Sequence, residues 1–217
     1  MQEISENKNN FMEKVIEEKV REIKQSFRQM MDGAVAQSMR DKGLGYHLNW
    51  GATLPRLREK ADELGKDYQL AIALWKENVR ECKILATMIM PPEEILPEVV
   101  DIWMEQTETV EIAEQAAFNL YQHLPFAPVK AYQWMASTKV LEELCGFLVI
   151  ARIFMRGQEP NERGINEFLD QAMAALQGED LAVRKAAMNA VHRFAELGLV
   201  YERLAKSAMR SVHLDFL

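Results

Sequence analysis

The 217 residues suffice for one large domain or an extended repeat array, and a chain that is 48% hydrophobic and 27% charged has the make-up of a folded protein rather than a disordered one. The net charge of −7 argues against strong non-specific binding to a phosphate backbone, although a local basic face can exist on an acidic protein. No apolar run reaches the roughly 18–20 residues of a membrane helix, and the polar start MQEISENKNN lacks the apolar core of a signal peptide, so no membrane partner is expected and the cytoplasm is the expected location.

Residues 1–10 are expected to be disordered. Across 11–42, Phe11, Val15, Ile16, Val20, Ile23, Phe27, Met30 and Met31 recur at helical spacing, with the charges largely on other faces. Gly33 is expected to break this region into two helices. A coiled-coil dimerisation arm is the alternative reading, against which the short, irregular stripe speaks. Residues 43–52, GLGYHLNWGA, read as a loop. Its Tyr46, His47 and Trp50 suit either stacking on a base or pinning the loop to the helices.

From Gly51 to Met90 three helices follow on tight connections. Thr53 and Pro55 start the first, with Leu54, Leu57, Ala61 and Leu64 on one face, and Gly65 stops it. Asp67 starts the second, with Leu70, Ala71, Leu74 and Trp75. Asn78 is expected to start the third, with Val79, Cys82, Leu85, Ala86 and Ile89, before Pro91 and Pro92 end it. Further helices are expected near 93–106, carrying Ile95, Val99, Ile102 and Trp103, and near 107–124, capped by Thr107 or Thr109 with Val110, Ala113, Ala117, Leu120 and Tyr121 inward. The chain continues with helices near 127–136, 138–156, 161–177, 180–197 and 199–212. The helix near 138–156 is apolar on most faces and reads as central. No segment shows strand-like alternation. The expected architecture is all-α, a single domain over 1–217 in which helical pairs stack across 53–212 and each pair buries its face on its neighbours.

Gly51, Leu54, Leu57-Arg58, Ala61, Leu74-Trp75, Arg80-Glu81 and Leu85-Ala86 carry a resemblance to the HEAT-like repeat family of DNA alkylation repair enzymes. It is strongest over about 45–120 and extends by helix pattern to about 200. The resemblance implies an α-α superhelix of stacked HEAT-like pairs whose concave surface cradles DNA, and cleavage of the glycosidic bond of a cationic alkylated base. In such chemistry a carboxylate stabilises the charge building on the sugar and aromatic rings hold the base.

Aligned on that pattern, Glu114 stands at the catalytic acid's place and Glu111 at a preceding acid. Val110 replaces a tryptophan of the base cavity. Glu142 and Glu143 fall where an arginine is expected, Asn189 where a second tryptophan is, and His192 at a nearby arginine. Glu114 is therefore the candidate catalytic residue of a degenerate site, and helix-start charge is the plainer account of both acids. Arg56, Arg58, Lys83, Lys130, Arg152 and Lys185 are the candidate phosphate contacts.

Nothing in the sequence suggests a cofactor. Scattered His47, His123, His192 and His213 suggest no metal site, and Cys82 and Cys145 read as buried thiols. Double-stranded DNA is the expected partner; a non-catalytic helical-repeat scaffold for a protein partner is the alternative.

Overall fold

The computed structural model describes the backbone of residues 2–213 and the side chains of 11–213. The expectation for residues 1–10 falls outside the fully described part. Among the described residues there are twelve α-helices and no strand, only an isolated bridge between Leu48 and Val79. The chain divides into two compact units, Met1–Trp103 and Met104–Leu217.

The first unit contains α1 (Gln2–Gln29), α2 (Gly33–Asp41), α3 (Leu54–Leu64), α4 (Tyr68–Lys76) and α5 (Arg80–Ile89), with α6 (Pro97–Glu105) running across its end. The break after α1 is made by Asp32, not by Gly33. The Asp32 carboxylate accepts from the Val35 N–H and caps α2, of which Gly33 is the first residue. Gly65 ends α3 at φ 69°, and the Asp67 carboxylate accepts from the Leu70 N–H to start α4. α5 begins at Arg80, later than the expected Asn78, and no side chain caps it. The reason lies far away in sequence: the Leu48 carbonyl accepts from the Arg80 N–H, so the 43–52 loop takes the capping role.

α5 packs on both α3 and α4, and α1 packs on α4. Trp75 and Trp103 are buried and stack with ring centroids 4.2 Å apart and planes 3° from parallel. Val20, Ile23 and Phe27 of α1 are buried, whereas Phe11, Val15 and Met31 of the same stripe are exposed, as are Ile102 on α6 and, further along the chain, Val140.

The second unit contains α7 (Val110–Asn119), a 3-10 turn (Tyr121–His123), α8 (Ala127–Met135), α9 (Val140–Met155), α10 (Glu162–Gln177), α11 (Leu181–Ala195) and α12 (Leu199–Ser211). Thr109 caps α7 through its hydroxyl, as its position suggests. α9 is central, packed against α7, α8 and α11, and its Phe154 meets Phe168 and Phe194 at 5.0 and 5.5 Å. Gly146 lets α8 approach α9: a Cβ there would lie 2.5 Å from the Met135 nitrogen. None of the helices among the described residues is long and apolar enough to cross a membrane.

Candidate functional site

In the first unit, Arg80 and Glu81 form a buried clasp. Their side chains are 1% and 0% exposed, and Arg80 Nη1 lies 3.0 Å from Glu81 Oε1. The Glu81 carboxylate also accepts from the backbone N–H groups of Trp50 and Ala52, each at 3.2 Å. Arg80 Nη1 donates to the Ala52 carbonyl at 2.9 Å. The Asp32 N–H donates to the Trp50 carbonyl at 3.0 Å, tying the start of α2 to the same loop. Gly51 passes so close to this start that a Cβ would sit 2.1 Å from the Asp32 oxygen, and its φ is +73°. Only glycine fits there without displacing backbone. Arg80 is thus a structural cation, held away from solvent.

The basic residues singled out from sequence have differing surroundings. Arg56 and Arg58 are exposed on α3. The Lys83 ammonium donates to the Trp75 carbonyl and lies 4.5 Å from the centre of the Trp75 ring. In the second unit Lys130 is buried, the Arg152 guanidinium lies 4.7 Å from the centre of the Phe118 ring, and Lys185 is exposed on α11.

The residues implied by the family resemblance fall on α7, α9 and α11, which pack consecutively through α9. Val110 is the first residue of α7 and contributes no ring. Glu111 is in the first turn, and Glu114 follows on the surface of the next. Partial desolvation of the Glu114 carboxyl, reinforced by the charge of Glu111, holds its pKa above the ordinary glutamate value. Cys145 of α9 is buried with its thiol against the Ala113 carbonyl at 3.4 Å. Burial, and then the charges of Glu114 and Glu142, push that thiol far up, so it is no nucleophile. Cys82 is likewise buried, its thiol pushed up to about 12 by burial first and by Glu77 next.

Where an arginine is implied, Glu142 accepts from Ser137 Oγ at 2.7 Å and from Lys139 Nζ at 2.9 Å. Desolvation raises this carboxyl, but the two hydrogen bonds and the lysine's charge outweigh it and leave the pKa below the ordinary value. Glu143 is raised by burial and then by the charge of Asp180 at the start of α11. Asn189 is exposed and His192 half-buried on α11. Three glutamates therefore stand in the first turns of two adjacent helices, with Glu114 one turn further along α7. Among the described residues no group of three or more His, Cys, Asp or Glu side chains is arranged to hold a metal ion.

Sequence reasoning overlooked one surface feature altogether, a groove of about 910 Å³ in the first unit between α1, α4 and the loop at Leu48 and Trp50. Its walls come from three stretches of chain, and no local pattern joins them.

Helices packed face to face and joined by short connections, with aromatic and aliphatic cores and no strand among the described residues, define an all-α helical-repeat protein of HEAT-like type. A solved structure described as a new family of proteins related to the HEAT-like repeat DNA glycosylases with affinity for branched DNA structures superposes with a TM-score of 0.78. The two share 14% sequence identity, over 88% of this chain and 82% of that one. No curated protein matches the chain. The chain belongs to the DNA alkylation repair enzyme family, whose profile matches residues 23–197.

Proposed function

We propose that this protein is a DNA-binding member of its family whose glycosylase site is degenerate. The observation that carries the second half is the pairing of Glu142. A carboxylate bonded by Ser137 and Lys139 occupies the place where the family resemblance implies an arginine. Val110 adds to it by offering no ring. Losing one preorganised electrostatic partner costs on the order of 10²–10³ in rate, and losses within one site need not add. Glu114 alone, a surface carboxylate with a raised pKa, cannot supply the missing aromatic and cationic partners.

Family membership supports DNA as the ligand, and the affinity for branched DNA of the structurally similar protein favours branched over linear duplexes. The net charge of −7 supports weak, salt-sensitive binding. A scaffold for a protein partner is the second reading, favoured by the acidic starts of α7 and α9.

The test has two arms. Release of 7-methylguanine and 3-methyladenine from alkylated DNA is expected to be absent or very slow, with Glu114→Gln as control. Robust release by the parent, abolished in Glu114→Gln, would make Glu114 catalytic and overturn the degenerate site. Fluorescence anisotropy with labelled duplex and four-way junction DNA at two salt concentrations is expected to show weak binding that falls with salt. No binding at low salt favours the scaffold; tight binding unmoved by salt contradicts a phosphate-driven contact.

A further inference from the structure

The groove of the first unit is a candidate site separate from the acids of the second. Its charges are segregated along α1. Glu13 and Glu17 stand at one end, and Arg21, Lys24 and Arg28 line the remainder, with Lys76 and Glu77 contributed from the end of α4. Lys24 neutralises Glu77 at 2.6 Å, so the charge left at this end is that of Arg21, Arg28 and Lys76, three exposed cations. The seven residue steps from Arg21 to Arg28 span roughly 10 Å of helix.

The same end holds an aromatic platform. Trp50 lines the groove, and the Arg28 guanidinium lies 5.9 Å from the centre of its ring. The indole Nε1 of Trp50 is buried without a hydrogen-bond partner. A buried donor left without an acceptor costs free energy, and turning the indole edge into the groove to meet an acceptor removes that cost. Ile16, Ile72 and Leu48 add apolar wall.

A ligand that answers all of this has anionic groups in series, a flat ring and hydrogen-bond acceptors on its edge. We propose that the groove binds a short single-stranded DNA segment, its phosphates on Arg21, Arg28 and Lys76 and a base stacked beside Trp50 and Arg28. An acidic peptide shares the charge but not the ring. The proposal relies on the DNA-binding reading only for the class of ligand.

The probe is a 3′-fluorescein ten-residue oligothymidine, read by anisotropy with the full chain at two salt concentrations, beside the labelled duplex and junction. The parent is expected to bind the oligothymidine. Arg28→Gln and Lys76→Gln, both surface changes, are each expected to weaken it about three- to tenfold and to flatten the salt slope by about 0.7. Trp50→Leu, which leaves the backbone bonds of the loop in place, is expected to weaken it about tenfold or more. Circular dichroism of each variant confirms folding. Absence of oligothymidine binding by the parent overturns the proposal, as does parent-like binding by both charge variants. Displacement of the oligothymidine by a ten-residue polyglutamate at equal charge concentration also overturns it, since the groove then reads charge alone. Oligothymidine binding without duplex or junction binding refutes the broader DNA reading and leaves the groove standing; the reverse pattern refutes the groove alone.

Discussion

Replacing Glu81 by alanine tests whether the Arg80–Glu81 pair holds the first unit together. The substitution removes a carboxylate that is 0% exposed, leaves the N–H groups of Trp50 and Ala52 without that acceptor, and takes one of the acceptors of Arg80 Nη1. Arg80 retains the Ala52 carbonyl but loses the adjacent Glu81 carboxylate in a site it cannot leave without opening the loop. Breaking a buried pair by removing one partner costs about 3–5 kcal/mol, because the surviving charge stays desolvated while its attraction to the lost carboxylate is gone. With a urea dependence of about 2–3 kcal/mol per molar, the unfolding midpoint falls by roughly 1–2.5 M. The assay is urea denaturation followed by tryptophan fluorescence, which three of the four tryptophans (Trp50, Trp75 and Trp103) report from the first unit. Arg80→Met combined with Glu81→Leu removes both charges and should recover only the part of the loss that comes from the buried arginine charge, since the Trp50 and Ala52 N–H groups still lack that acceptor. A Glu81→Ala midpoint within about 0.2 M of the parent would refute the reasoning and mean that water reaches the pair.

Trp75→Ala removes one half of the Trp75–Trp103 stack and should cost about 3–5 kcal/mol; an unchanged denaturation midpoint would show that the ring is not part of the core. Gly51→Ala should destabilise by more than about 1 kcal/mol, because its φ is positive and its Cβ would strike the Asp32 oxygen; thermal melting of the variant at or above the parent's midpoint contradicts this. Carbon-detected NMR titration should find Glu114 and Glu143 titrating above the ordinary glutamate range and Glu142 below it. The sign for stability follows. The Glu142 contribution is present above the ordinary range and is lost as pH falls through its folded-state pKa, whereas those of Glu114 and Glu143 are present below that range and are lost as pH rises through theirs. Glu142→Gln should therefore lower stability at neutral pH and not at the acid end of the titration; Glu142 titrating above Glu114 would reverse the assignment.

What could be read in advance was local. Asp67, Gly65 and Thr109 act within three or four residues of themselves, so their positions alone indicate where α3, α4 and α7 begin or end. The helical stripes identify which face is apolar but not whether a neighbour covers it. Val20 and Phe27 are buried, while Phe11 and Val15 extend along the same stripe of α1 and remain exposed. The start of α5 was misplaced because its cap comes from Leu48, thirty-two residues earlier. Arg80 and Glu81 were legible as motif residues, yet the loop they hold was not. Their partners are backbone groups at 50 and 52, and a backbone group carries no signature in the sequence. The groove was hidden for a related reason, since its walls join α1, α4 and the loop.

The way that loop is fastened sets what may be changed in it. Five of its anchors are main-chain atoms: the Leu48 carbonyl, the Trp50 N–H and carbonyl, and the Ala52 N–H and carbonyl. The side chains of His47, Leu48 and Trp50 are not used in these five bonds. They can therefore be exchanged while the path of the chain persists, in the manner of a bracket that accepts different fittings. Gly51 and Asn49 are exceptions: the space for a Gly51 side chain is already occupied, and the Asn49 amide oxygen accepts from the Gly51 N–H at 2.8 Å. A loop fixed by its backbone between two helices lets a lineage, or an engineer grafting new residues, alter what this edge of the molecule presents without first re-solving how the edge is built.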